Sequence, residues 1–469
     1  LPKSVEGREV VMRFFMGLVL VLALGAMGCS ETSGTGGTAG DGGSGGGGSG
    51  GMTGEKFPCN EAGIRDAIAE GGGPHTFDCG GPGTLVTVVT DTVFEIDKDV
   101  ILDGEGYLTV SREAGPNDEY EDHEVFGVAD GIVAELRGFA VNQISGDEIA
   151  GIRNLGTLTL TKSSVLMGVD NPGTLTIMNS NASGISNAGT LTMTNSDSNG
   201  ISNEGDMVLT RSEVSGGSGI TNTGTATLER STVVENEGWP AGGVLNSGTL
   251  TIVDSTIRLN RASCYEFEGC SVAGILNEGT LTVSGSNISD NQLEPDEGEE
   301  APCGASVNRN GTATFTNSIL GGEEFCNDEG GELTLSHSLI ELLRVGASAM
   351  TMLRNSIVTG DCAGDGVITS GGYNVETPGN TCGFDTNKGD LVEVSEEAIN
   401  LDPGDEYGGP TFTVALVSPS VGIDLVPVEN CLDAEGKPLT TDQRGKPRPY
   451  GEGCDVGSFE WNPGDPTQE

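Results

Sequence analysis

Three histidines, His75, His123 and His337, are all that this chain of 469 residues offers for proton transfer near neutral pH. None stands near a serine or cysteine motif of the kind a nucleophilic triad needs, so each is expected at the solvent-exposed surface. Asp442, Arg444, Asp455 and Glu460, near the chain's end, have the residue types of an acid–base site. A turn-rich chain end needs ion pairs as staples, however, and these four are expected to hold a terminal cap together. Arg153, Arg211 and Arg230 read as occupying different slots relative to a repeated asparagine, and no basic row is expected from them. A lyase would need clustered acidic calcium ligands and a basic proton acceptor on one strand face. No catalytic residue, metal site or cofactor is therefore expected.

Covalent chemistry of another kind is written at Cys29. Met12-Arg-Phe-Phe-Met-Gly-Leu-Val-Leu-Val-Leu-Ala-Leu-Gly-Ala-Met-Gly-Cys29-Ser30 places a positive residue before an apolar run closed by small residues and a cysteine. The run resembles a bacterial lipoprotein signal, with A-M-G-C as the lipobox and Ala26 where leucine is usual. Cleavage before Cys29 would leave that cysteine to carry the lipid, so residues 1–28 are expected to be removed, and Met12 opens a more orthodox signal than Leu1 does. From Ser30 to Gly54 nearly every residue is Gly, Ser or Thr, which cannot bury apolar area. Residues 29–55 thus read as a lipidated cysteine and a tether of about 25–30 Å root-mean-square reach.

Ten further cysteines follow: Cys59, Cys79, Cys264, Cys270, Cys303, Cys326, Cys362, Cys382, Cys431 and Cys454. An even number in an exported chain favours disulfides, and no C-x-x-C pair or histidine cluster argues for zinc. Sequence leaves the connectivity open; nearest-neighbour pairing is the expectation, since each pair then closes a local loop.

What must position these residues is a repeat. Variants of the phrase G-[IV]-x-N-x-G-T-[LA]-T-x-x-x-S-x-[IV] recur with the asparagine at Asn154, Asn171, Asn187, Asn203, Asn222, Asn246, Asn277 and Asn308. The spacings are 17, 16, 16, 19, 24, 31 and 31 residues, the periods of a solenoid. In Gly184-Ile-Ser-Asn187-Ala-Gly189-Thr-Leu-Thr-Met193, Ile185, Asn187, Leu191 and Met193 alternate inward while Ser186, Thr190 and Thr192 face out. Strands this short must stack on neighbouring coils to bury anything. The fold class is therefore all-β, a parallel β-helix. All but one of the coil lengths fail to be multiples of six, which argues against a left-handed hexapeptide helix and for a right-handed one. The asparagines are expected to hydrogen-bond from coil to coil as a buried ladder. The glycines two places later, such as Gly189 and Gly205, are expected to supply turn conformations closed to other residues. Asn60 as N-cap and the glycines after Glu70 bound one short helix, expected to cap the solenoid's open end.

The last three intervals are stretched, each between the S-x-[IV] strand and the next G-[IV]-x-N. The insertions should therefore emerge on one edge of adjacent coils. They carry Trp239, Tyr265, Phe267, Glu294, Asp296 and Glu297, the candidate binding residues.

Resemblance to known families rests on three stretches. A-G-I-R-D-A-I-A-E-G-G-G followed by H-T-F-D-C resembles the N-terminal cap of pectate-lyase-like β-helix proteins of bacterial surfaces. Gly242-Gly-Val-Leu-Asn-Ser-Gly-Thr-Leu-Thr-Ile-Val-Asp-Ser-Thr-Ile-Arg-Leu-Asn260 is similar to the repeats of polymorphic outer-membrane proteins, with Ile257 in place of phenylalanine. Gly371-Gly-Tyr-Asn-Val375, Gly408-Gly-Pro-Thr, Ser418-Pro-Ser-Val-Gly-Ile-Asp424, Thr441-Asp-Gln-Arg-Gly-Lys-Pro-Arg-Pro449 and Cys454-Asp-Val-Gly-Ser-Phe-Glu460 resemble choice-of-anchor Q proteins, in that family's order. The resemblance implies a secreted β-helix displayed on the cell, with repeats over residues 56–370 and an anchor-Q-like module over 371–469.

Charge and composition set the remaining bounds. With 70 acidic and 22 basic residues the formal charge is −48, which repels nucleic acid. Aromatics are 4 % of residues, few for a groove that grips sugar chains by stacking. The expectation is a monomeric outer-membrane lipoprotein, attached through its lipid and exposed at the cell surface, serving as a non-catalytic scaffold for a surface glycan or protein ligand. The alternative is an extracellular polysaccharide lyase or glycoside hydrolase on the same fold.

Overall fold

The computed structural model describes residues 56–81, 83–112, 124–143, 151–262, 264–265, 269–293 and 304–465. Cys29, the Gly/Ser tether, His123, Phe267, Glu294, Asp296, Glu297 and Cys303 lie outside the described residues, and Tyr265, Cys264 and Cys270 are described by backbone alone.

Each repeat folds as three short strands that pair in parallel with the same strands of the coils before and after, giving a parallel β-solenoid of about 14 turns with very little helix. In one coil Ile185–Asn187 lies on the first sheet and Thr190–Thr194 on the second; Asp197–Asn203 then forms the third and runs on into the next coil. Register is kept residue for residue: Leu158, Leu175, Leu191 and Met207 stack on the second sheet. Period-two alternation puts Ile185, Leu191 and Met193 in the core, each no more than 3 % exposed, with Ser186 and Thr190 outside.

Glu61–Glu70 is the single helix of any length among the described residues; Asn60 caps it by accepting from the Gly63 amide at 2.9 Å. Its Ile64, Ala67 and Ile68 cover the first coil's core beside Phe77. Gly72–Asp78 carries no alternating signal, yet it pairs with Val100–Arg112 as the first rung, because the sheet edge supplies partners that composition does not reveal. The far end is closed by Cys382 and Phe384, which join the same core. Residues beyond Ser395 then turn back along the outside of the third sheet. There Ile399, Leu416, Val426 and Val456 pack on Ile319, Leu339, Ile357 and Val375.

Two polar ladders run the length of the interior. Asn154 Nδ2 donates to Asn171 Oδ1 at 2.7 Å, and the same bond recurs through Asn187, Asn203, Asn222, Asn246, Asn277 and Asn308 at 2.6–2.8 Å. It continues to Asn327, whose coil hides the motif by two extra residues before the stacked Gly331, and ends on the Thr351 hydroxyl. At the head, Asn154 Oδ1 has no partner, because Val128 holds that position on the preceding coil. The second ladder is serine: the Ser180 amide donates to Ser196 Oγ at 3.1 Å and the Ser196 amide to Ser212 Oγ at 3.3 Å, with equivalent bonds from Ser163 to Ser356. Substituting Asn203→Leu removes the donor to Asn222 Oδ1 and one acceptor of Asn187 Nδ2, and is expected to cost about 1–3 kcal/mol for each group so orphaned. Chemical unfolding of the variant checks this; an unchanged midpoint would mean that the bonds carry no net stability.

The glycines of the N-x-G turn have another reason than the one expected of them. Neither Gly189 nor Gly205 has positive φ; a Cβ at Gly205 would lie 2.0 Å from the carbonyl oxygen of Gly189. Close stacking of backbones excludes side chains here. The left-handed turn falls instead between the second and third sheets, on the residue before each ladder serine: Asn179, Asn195, Arg211, Arg230 and Asp254 all have φ of 49–51°.

Candidate functional site

That corner corrects the reading of the basic residues. Arg211 and Arg230 share one slot with Lys162, each just before a ladder serine, because the count of residues from the asparagine is the same in their coils. Arg153 alone stands apart, on the first sheet, with Nε 3.7 Å from Asp170. Toward the end of the solenoid the same slot turns inward: His337 occupies it and is fully buried beneath the returning C-terminal chain. The expectation that every histidine is exposed therefore fails there. Burial, together with the nearby Arg448 cation, pushes its pKa well down, so His337 is neutral.

Asp442, Arg444, Asp455 and Glu460 come together as the core of the C-terminal module. Arg444 Nη2 meets Asp442 Oδ2 at 2.6 Å with both side chains fully buried, and the guanidinium lies 3.6 Å from the Phe459 ring centre. Asp455 accepts from the amides of Asp424 and Trp461 at 2.8 and 2.6 Å, and Arg448 Nε faces Glu460 Oε2 at 3.0 Å. Burial pushes the Asp455 carboxyl up to about 7. The side chains of Asp442 and Arg444 are spent on each other, and a cavity of about 720 Å³ lies beside them, lined by Arg230, Asp254, Gln443 and Arg444 among others. The module's bonds to the solenoid are continued by Asn317 to the Thr441 carbonyl at 2.7 Å and Asn355 to that of Asn430 at 2.8 Å.

Disulfides join Cys59 to Cys79, Cys362 to Cys382 and Cys431 to Cys454. Cys326 is also disulfide-bonded. Cys264–Tyr265 and Gly269–Cys270 pair as an antiparallel hairpin, with Cys264 opposite Cys270.

The edge between the third and first sheets varies most from coil to coil. Insertions from three successive coils meet there by backbone pairing: Glu237–Gly238 runs parallel to Arg261–Ala262, Ala241 bridges to Val272, and Arg261 bridges to Gln292. They form a wall rather than separate loops. Beneath it runs a third ladder, from Asn236 to Asn260 at 3.0 Å and on to Asn291 at 2.9 Å, with Asn291 Nδ2 donating to Glu323 Oε1 at 3.0 Å. Its members share the spacing apolar-x-x-Asn seen at Ile257 to Asn260 and Ile288 to Asn291, and Glu323 takes the same slot after Leu320. Burial raises the Glu323 carboxyl to about 7, against the pull of its bonds from Asn291 and Ser306.

On the coils just before the wall the same connection shrinks. Between Asn181–Ala182 and Ile185–Asn187 two residues suffice, and Glu213–Asn222 crosses without a break. The result is a trough of about 700 Å³ lined by Leu166, Ile185, Asn199, Ile201, Ser218 and Thr221 among others, with Asp170 the one charged lining residue. The wall rises from its margin, since a Cβ on Gly238 would lie 3.2 Å from the Ser218 carbonyl oxygen. Trp239 follows, 52 % exposed. Of the candidate binding residues, Trp239 alone has a described side chain.

The class of protein defined by fold and site is a disulfide-linked parallel β-solenoid with a trough of low charge on one edge. No family model matches the chain, and no curated protein does. Among solved structures it is similar to DFA-IIIase from Arthrobacter chlorophenolicus A6 without its lid, at 14 % identity over 73 % of this chain and 97 % of that one, with a TM-score of 0.24. The same enzyme in complex with GF2 gives 12 % identity, 73 % and 96 % coverage, and a TM-score of 0.22. A likeness so distant carries no argument about site or activity.

Proposed function

We propose that this protein is a lipid-anchored, surface-displayed β-helix that binds a surface glycan or protein ligand through the trough and its wall. The observation that carries the reading is the trough itself, an uncrowded surface with a single charged lining residue, Asp170, on a chain of charge −48 with an exposed tryptophan at its margin. Trp239 supplies a flat apolar face, and the hydroxyls and amides of Ser218, Thr221 and Asn199 supply hydrogen bonds, the combination by which hydroxyl-rich ligands are held. Disulfides suit an oxidising compartment outside the cytoplasm. Cys29 and the tether behind it provide attachment, in keeping with the resemblance of the C-terminal motifs to choice-of-anchor Q proteins and of the repeats to polymorphic outer-membrane proteins.

One observation favours the hydrolase reading: Asp197 and Glu213 are register partners on adjacent coils, and burial, then the charge of Glu213, raises the Asp197 pKa. The test has two arms. Cys29→Ser should move the protein from the membrane to the soluble fraction, and retention would overturn the lipid anchor. Trp239→Ala should lose retention on a panel of surface glycans and cells that the parent chain keeps. Cleavage of any glycan, abolished by Asp197→Asn, would replace binding by hydrolysis.

A further inference from the structure

The outward face of the second sheet is unlike the other two. From Thr157 to Thr312 its strands present T-x-T outward at Thr157, Thr174, Thr190, Thr225, Thr249, Thr280 and Thr312, each with a second threonine two residues on. Asp206 and Val208 are the one interruption in these two columns. Strand-forming preference would favour threonine on all three faces alike. It did not do so: over the same eight rungs the first outward position of the third sheet is Ser164, Asn181, Asp197, Glu213, Thr232, Thr256, Asn287 and Ile319, with threonine at two. On the first sheet the outward residues are Arg153, Asp170, Ser186 and Ser202. A chain with 70 acidic residues has kept all but one of them off these columns.

The geometry is that of a lattice. Rungs recur at about 4.8 Å, and alternate residues along a strand at about 6.7 Å, so hydroxyls and methyls form a two-dimensional grid about 34 Å long. Thr174, Thr190, Thr225 and Thr249 are exposed. A threonine hydroxyl both donates and accepts, as each water of ice does, so hydroxyls held at fixed spacings can continue the hydrogen bonding of an ice surface. The methyls between the hydroxyls hold water only in cages, while charges, which would orient water about themselves, are confined to Asp206 within the two columns and Glu229 beside them. The asparagine and serine ladders flank this sheet on both sides and fix the rungs, so little further ordering is needed when a crystalline surface is met. From these features we infer that the threonine face adsorbs to ice, independently of the trough.

The test uses the full chain, fluorescently labelled, with a growing ice crystal and an ice recrystallisation assay. The chain is expected to coat the crystal and to slow recrystallisation. Thr190→Lys and Thr249→Lys should each lose both effects, whereas Thr232→Lys, on the outside of the third sheet, should keep them. Filling the gap with Asp206→Thr and Val208→Thr should strengthen both. A parent chain that leaves ice unaffected overturns the inference, and so does retention on crystalline cellulose or chitin without an ice effect, which would assign the face to a crystalline polysaccharide. Where a lysine variant fails to fold by circular dichroism, the gap-filled variant decides, and no gain in its activity overturns the inference.

Discussion

Gly205→Ala is expected to cost at least about 4 kcal/mol, the range reached by a steric clash that cannot relax. The new Cβ would stand 2.0 Å from the Gly189 carbonyl oxygen, and that oxygen is held in place by the Asp206 amide at 2.9 Å. Moving it would break the spacing between two coils, and Gly189 stands in the same relation to Gly173, so the strain would pass up the stack. Urea unfolding reads the loss. Gly464→Ala, where the nearest atom is 3.8 Å from the built Cβ, is the control and should change stability by no more than about 0.5 kcal/mol. Near-parent stability in Gly205→Ala would show that neighbouring coils can slide apart at this turn.

Arg444→Met is expected to cost about 3–5 kcal/mol, because it leaves the Asp442 carboxylate buried without its cation. Asp442 keeps bonds from the amides of Arg444, Lys446 and Glu460, but among the described residues no other cation is hydrogen-bonded to it. The loss should show first as cleavage of residues 395–461 by added protease, before the solenoid unfolds, since this module leans on the outer face of the third sheet. Adding Asp442→Leu to Arg444→Met should restore most of the stability, as apolar replacement of both partners of a buried pair often does. Equal proteolysis of parent and Arg444→Met would show that the module is held by its apolar contacts alone.

Repetition made the solenoid legible without coordinates. Once Leu175, Leu191 and Met207 recur at the same offset from Asn171, Asn187 and Asn203, alternation decides which face each meets, and stacking is the one arrangement that buries them. The helix at Glu61–Glu70 was legible for a local reason, a cap at Asn60 and glycines at its end. What depended on neighbouring coils was not. The demand for glycine at Gly205 comes from a carbonyl of another coil, and the left-handed corner, signalled by asparagine at Asn179 and Asn195, falls equally on Arg211 and Arg230, whose type gives no such signal. The trough exists because connections on some coils are short and on others long, and His337 is buried because a segment nearly one hundred residues later returns to cover it, Ser336 bonding the Leu432 carbonyl with a separation of 96. Local pattern determines which way a side chain points within its own coil; which atoms it then meets is a property of the stack, where residues distant in sequence come within a hydrogen bond of one another.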